Sequence, residues 1–157
     1  MEPKIGIEKK DINKSIKNLT VVLSNEMVLY VKTRKFHWNI SGKSFMEFHK
    51  LFEEHYKNIE LTIDEVAERI SKLGSDSIGS MGEFLKHSIL KESTKNESQE
   101  KMLLELLNDH EEIIINLRNM ITEMEEDYND FGTVDFLTSI MLGHESKAWT
   151  LRKYITK

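Results

Sequence analysis

Residues 44 to 74 read SFMEFHKLFEEHYKNIELTIDEVAERISKLG, and the fold follows from where the apolar side chains fall in that stretch. Phe45, Phe48, Phe52, Ile59, Ile63, Val66, Ile70 and Leu73 recur at close to heptad spacing, which puts them along one stripe of an amphipathic helix. A strand would alternate with period two, and this segment does not. Ser44 followed three residues on by Glu47 matches a capping box, so the helix is expected to start there. Gly74 is the stop signal.

Upstream, Ile12, Ile16, Leu19, Val22, Leu23, Met27 and Tyr30 recur at three and four, predicting a first helix that runs to about Asn39. Ile40 to Lys43 breaks it. Downstream, Gly74 to Asn96 is rich in Gly and Ser, and its short apolar group Met81, Phe84 and Leu85 suits a small helix inside a long connection. Periodicity resumes from Glu97, with Leu103, Leu106, Leu107, Ile113, Ile114, Leu117, Met120, Ile121 and Met124. An acidic turn from Glu125 to Gly132 leads to a fourth helix from about Thr133, expected to bury Phe136, Leu137, Ile140, Met141, Ala148, Leu151 and Tyr154. The pattern is all-α: four long helices, one long middle connection, and no internal repeat. A ferritin-like bundle and a generic one both fit it.

At 157 residues the chain is one domain, 1–157, with residues 1–11 expected as a flexible N-terminal arm. Charged residues make up 31% and the hydrophobic set 39%, too apolar for a disordered chain. There is no cysteine, which excludes disulfides, zinc ribbons and thiol catalysis. Any metal must be held by imidazole and carboxylate, which suit hard or borderline ions. No signal-peptide core and no membrane-length apolar run is present, so a cytoplasmic protein is expected. The net charge of -5 argues against a protein built mainly to coat nucleic acid. Lys4, Lys9, Lys10, Lys14 and Lys17 form a short basic stretch, for which solubilising charge is the plainer explanation.

The second helix carries two pairs at i, i+4, His49 with Glu53 and Asp64 with Glu68. Members of such a pair share a face and can reach one ion. His37 adds an imidazole at the end of the first helix, able to approach His49 across the Ser41 to Ser44 turn. His49 and Asp64, 15 residues apart, are separated by about 22 Å along one helix, so they cannot share a metal within one chain. Two chains packed antiparallel about a two-fold axis would bring a histidine end to a carboxylate end. Against this stand plainer explanations: an Asp and Glu one turn apart are usually a solvated face, and a single histidine is usually a surface or satisfied residue. A second candidate lies in the bundle centre, where Glu26, His110 and His144 fall on apolar stripes. No Glu-x-x-His occurs and the second helix's stripe counts only apolar residues, so these read as hydrogen-bonded core histidines. His55 and His87 have no partner by spacing.

The block Lys35-Phe36-His37-Trp38-Asn39-Ile40-Ser41-Gly42, followed by Phe45, His49, Phe52-Glu53, Tyr56 and Asp64-Glu65-Val66-Ala67-Glu68-Arg69-Ile70, resembles the signature of the Dps family of mini-ferritins. The likeness extends from Tyr128 through Leu151, with Asp130, Thr133, Asp135 and Trp149. The resemblance implies a ferritin-like bundle assembled as a hollow dodecamer with ferroxidase sites at its two-fold interfaces. His37 and His49 would come from one chain, Asp64 and Glu68 from its mate, with Glu53 as an auxiliary or second-iron ligand. Trp38 would intercept radicals beside the metal, unless its role is interface packing. Asp127, Asp130 and Asp135 would line three-fold pores that admit Fe(II), or else cap and favour a helix N-terminus. Iron is then the metal, hydrogen peroxide or dioxygen the oxidant, and Fe(III) mineral the stored product. A DNA-compacting protein with iron secondary, and a metal-free structural assembly, are the rival readings.

Overall fold

In a computed structural model of the chain, residues 3–127 and 129–155 are described; Tyr128 and the outermost residues of the expected arm lie outside them. The described residues form α1 (Lys9–Asn39), α2 (Phe45–Lys72), α3 (Met81–His87), α4 (Gln99–Asp127) and α5 (Phe131–Ile155). Helices α1 and α2 pack along each other as one hairpin, α4 and α5 as another. The hairpins join chiefly through α1 and α4, while α2 and α5 meet only sparsely. The core lies between them, with Leu19, Leu29, Phe36, Phe52, Val66, Leu106, Met124 and Leu151 sealed from solvent. Each such side chain contributes about 1.5–3 kcal/mol by leaving water. The expected all-α bundle with a short extra helix in the middle connection is what forms.

The helix ends differ from expectation in ways that local chemistry explains. Helix α1 starts at Lys9, inside the stretch read as an arm, with Asp11 and Ile12 already buried. Ser44 adopts the left-handed conformation, φ 59°, and its side chain makes no cap bond, so the anticipated capping box at Ser44 and Glu47 is absent. A capping box forms instead at Ser80 and Glu83, opening α3. Tyr154 and Phe45, expected in the core, are 41% and 40% exposed. The Tyr154 hydroxyl donates to Glu47 instead, and Phe45 leans on the His49 ring.

Gly74 ends α2 as anticipated. Its own N–H reaches Ser71 O and the Ser75 N–H reaches Ile70 O, the two bonds of a Schellman motif. Its φ is +88°, and a Cβ there would stand 2.6 Å from Pro3 Cδ. Gly74→Ala is therefore expected to cost about 1–2 kcal/mol from backbone strain, before any displacement of Pro3 is counted. Urea denaturation would show it as a lower midpoint at unchanged slope.

The long connection is pinned to α1. Asn25, buried in α1, accepts bonds from the Ile89 N–H and the Ser88 hydroxyl, and Lys35 donates to the carbonyls of Ser93 and Lys95. Fixing the crossover on α1 holds α4 in register against the first hairpin. Between α1 and α4, Lys32 bonds Asp109 at 2.7 Å and Glu105 at 3.1 Å.

Candidate metal centre

The break from Ile40 to Ser44 turns the chain sharply, so that the last turn of α1 faces the first turn of α2. His37 and His49 stack there with ring centroids 3.7 Å apart and planes 20° from parallel. His37 Nδ1 donates to the carbonyl of His49 at 2.7 Å, and His49 Nδ1 donates to the carbonyl of His37 at 2.9 Å. A carbonyl can only accept, so both Nδ1 atoms carry protons, and in the neutral ring Nε2 is the nitrogen with a free lone pair. A backbone bond on one ring nitrogen fixes the tautomer and orients the other as a metal ligand. Tyr56 stands edge-on to His37 at 5.3 Å, and Phe45 lies 5.1 Å from His49. Periodicity gave no sign of this aromatic enclosure, because it arises where two helices meet.

Glu53, one turn beyond His49, bonds Lys57. That partner holds its carboxyl below the usual range, with lesser help from His37 and His49. Asp64 and Glu68 share an exposed strip of α2, where Glu68 pairs with Lys72 at 3.0 Å. Because α2 is unbroken from Phe45 to Lys72, the two halves stay about 22 Å apart along its axis. The chain brings together His37 and His49, with Glu53 one turn along α2 and bonded to Lys57; it does not bring Asp64 and Glu68 to them. Among the described residues no three His, Asp or Glu side chains converge on one point.

Trp38 is 65% exposed, with the Arg34 guanidinium 5.3 Å from its ring centre. Arg34 also lies over Tyr30 and Tyr56 and donates to the Tyr30 hydroxyl. The exposed Leu61 lies further along α2.

The three acids named for the pore part company. Asp127 and Asp135 are exposed. Asp130 is 1% exposed: its Oδ1 accepts from the Thr133 N–H, its Oδ2 takes the Thr133 hydroxyl, and Arg69 bonds it at 2.8 Å. Asp130 thus caps α5, the alternative role that the sequence offered for it. Asp130→Ala should cost about 0.5–2 kcal/mol as a lost cap, while Asp130→Asn should retain most of the stability. Thermal unfolding of the two variants checks this.

Inside the bundle, His110 and His144 bond each other through Nδ1 at 2.8 Å, and His144 Nε2 bonds Glu26 Oε1 at 2.6 Å. These are the hydrogen-bonded core histidines that the sequence suggested. His55 corrects the reading of α2, for it is 4% exposed, belongs to the core stripe, and stands perpendicular to His110 at 5.8 Å. Burial pushes its imidazole down to about 4 and lowers that of His110 well below the ordinary value. Its spacings of three from Phe52 and four to Ile59 were the available signal. His87 is exposed at the end of α3.

A four-helix bundle with a long pinned crossover and a histidine pair at the α1/α2 corner is ferritin-like in class. A family model described as a ferritin-like domain matches residues 16–157. An "uncharacterized low temperature-induced protein" of Nostoc sp. is 40% identical over 96% of this chain and 85% of its own. The DNA protection during starvation protein of Brevibacillus brevis is 33% identical, covering 90% of this chain and 97% of its own. The crystal structure of the Dps protein from Vibrio cholerae O1, described as a ferritin-like diiron-carboxylate protein, superposes with a TM-score of 0.92. It is 30% identical and covers 99% of this chain and 97% of its own. The chain belongs to the Dps family. Iron storage and protection from oxidative damage are the general business of that family. No helix among the described residues is long and apolar enough to cross a membrane.

Proposed function

We propose that the protein is a ferroxidase that oxidises Fe(II) with hydrogen peroxide at sites shared between two chains and stores the Fe(III) product inside a dodecameric shell. The observation that carries this is the reciprocal His37–His49 bonding, which orients two imidazoles at a corner of the bundle with the Glu53 carboxylate one turn further along α2. An imidazole and carboxylate set is completed if Asp64 and Glu68 arrive from a mate packed antiparallel across a two-fold axis. The exposed Trp38 and Leu61 supply apolar surface for that contact.

Iron is the substrate here, not a resident group. His37 and His49 of one chain and Asp64 and Glu68 of the other bind Fe(II) through borderline and hard donors, and Glu53 assists a second ion. Two Fe(II) each give one electron to hydrogen peroxide, and with two protons this yields two Fe(III) and two waters. Pairing the electrons in this way avoids release of hydroxyl radical. Trp38, beside the histidine pair, scavenges a radical that escapes. Asp127 and Asp135 contribute negative potential that raises the local cation concentration.

The test is Fe(II) oxidation by peroxide with a hydroxyl-radical spin trap present, alongside light scattering for the mass of the particle. Consumption near two Fe(II) per peroxide, little trapped radical and a twelve-chain particle support the reading; a stable monomer, or radical at the level of iron alone, overturns it. The rival reading, DNA compaction, predicts retention on duplex DNA that weakens steeply with salt. With a net charge of -5, and with Lys10 of the basic stretch already paired to Glu8 at 2.9 Å, gel shift at moderate salt is expected to show little retention.

A further inference from the structure

An electron taken from Trp38 leaves a hole behind, and the side chains around that ring decide where it comes to rest. Trp38, Arg34 and Tyr30 follow one another at four-residue spacing along α1, so they share one face. Tyr56 of α2 closes on that face, edge-on to Tyr30 at 6.1 Å and to His37 at 5.3 Å, which sets the group beside the histidine pair. The Arg34 guanidinium carbon stands within 5.5 Å of the Trp38, Tyr30 and Tyr56 ring centres, so no two of those centres are further apart than twice that distance. Arg34 Nη1 donates to the Tyr30 hydroxyl oxygen at 2.6 Å. That leaves the Tyr30 O–H to donate to Glu60 Oε1, at 3.4 Å.

Charge decides between the rings. A cation over an aromatic face is drawn to the electron-rich ring. Arg34 keeps its charge at any working pH, and its Nε is sealed from solvent without a partner, so rings and not water cover that edge of it. Loss of an electron turns Trp38 into a second cation, and the attraction becomes a repulsion. Tyr30 avoids it. Once its phenolic proton has left for Glu60, the oxidised ring is neutral, and the Arg34 bond eases that departure by favouring negative charge on the oxygen.

We propose that an oxidising equivalent captured at Trp38 passes to Tyr30 and rests there, with Arg34 driving it off the indole and Glu60 taking the phenolic proton. In this step Tyr30 gives one electron to the indole radical cation and one proton to the Glu60 carboxylate. The products are intact Trp38, a neutral phenoxyl radical and a carboxylic acid. The origin of the hole rests on the ferroxidase reading above: hydroxyl radical, formed when a single Fe(II) reduces peroxide by one electron, takes an electron from Trp38 and leaves as hydroxide. A later Fe(II) gives an electron to the phenoxyl radical, Glu60 returns the proton, and Fe(III) is the product. A site holding one iron instead of two thereby still completes the reduction of peroxide, with the second electron lent by Tyr30.

The transfer itself needs no iron, so it is tested in metal-free assembled protein and can fail while the ferroxidase reading stands. Of the two tryptophans, Trp149→Phe leaves Trp38 as the one indole. An ultraviolet flash at the red edge of indole absorption photoionises it, with a scavenger present for the ejected electron. Decay of the indole radical is expected to be matched by growth of phenoxyl absorption, and to slow in heavy water because a proton moves in the same step. Tyr30→Phe should prolong the indole radical and remove the phenoxyl growth. Glu60→Gln should slow the transfer and abolish the heavy-water effect, and Arg34→Met should let the hole linger on Trp38. If Tyr30→Phe fails to assemble, Glu60→Gln, at an exposed position, decides. In parent protein given substoichiometric Fe(II) and excess peroxide, freeze-quenched samples should show a radical resonance that ring deuteration of tyrosine alters. Indole decay unchanged in Tyr30→Phe, phenoxyl growth indifferent to heavy water and to Glu60→Gln, or a resonance altered only by deuterated tryptophan, overturns the proposal.

Discussion

Asp64→Ala and His49→Ala are each expected to oxidise Fe(II) with peroxide far more slowly than the parent, and the two variants refolded together to recover about a quarter of the parent rate. Loss of a ligand should cost at least the 10–100-fold that loss of an outer partner typically costs. The recovery comes from counting. In an equal mixture about half of the two-fold pairs are mixed. Each mixed pair has one site with His37 and His49 from the Asp64→Ala chain and Asp64 and Glu68 from the His49→Ala chain. That site is whole, and its companion lacks both halves. If all ligands came from one chain, mixing would restore nothing. Initial rates of Fe(II) oxidation, normalised to assembled particle, decide it, and parent-like oxidation by Asp64→Ala alone would remove the carboxylate half from the site. His49→Ala should also leave His37 Nδ1 bonded, since its acceptor is the backbone carbonyl of residue 49. The variant thus removes one ligand without freeing the other.

What could be seen in the sequence was whatever one helix face records. The stripes of α1, α2, α4 and α5 were legible because each helix buries one side against the others, and Phe36, Phe52 and Leu106 are sealed as periodicity demands. Ser44 shows the limit of a local motif, because the turn holds it at φ 59°, a conformation from which its side chain makes no cap bond. At Ser80 the same motif does form. His55 was overlooked because a stripe counted by apolar type skips a histidine that is neutral when buried. The histidine pair was legible as a spacing across a turn, but its reciprocal carbonyl bonds depend on how two helix ends face each other. The acid half was legible as a pair at i, i+4, and within the chain the unbroken α2 keeps it away from the histidine pair. Asp130 was readable equally as pore or cap, and the fold shows the cap through its bonds to the Thr133 N–H and hydroxyl, while a pore would belong to an assembly of chains.

The pair between Lys32 and Asp109 ties a large stability effect to pH. Lys32 is 4% exposed and Asp109 7% exposed, so each has given up most of its hydration for the other. Desolvation raises the Asp109 carboxyl to about 6, against the lowering pull of its bond and charge contact with Lys32 and the further push of Glu105 and Glu112. Lys32→Met fills similar space but leaves the buried carboxyl unpaired; because that group can take up a proton instead of staying charged, the cost reaches about 2 kcal/mol at pH 7.5, about 1.4 kcal/mol for each unit above the parent's value of about 6. The pH dependence has a definite sign. A carboxyl whose folded value lies above its ordinary 3.8 holds more protons folded than unfolded, so its contribution to stability is greatest at low pH and falls as pH rises from about 4 to about 6. Without Lys32 the folded value rises further, and the fall extends to higher pH. Lys32→Met should therefore be close to parent stability at pH 5 and much weaker at pH 7.5, with Asp109→Asn in the same chain restoring most of the loss. Thermal midpoints at the two pH values measure this, and a loss of equal size at both would assign Lys32 a packing role and not the neutralisation of Asp109.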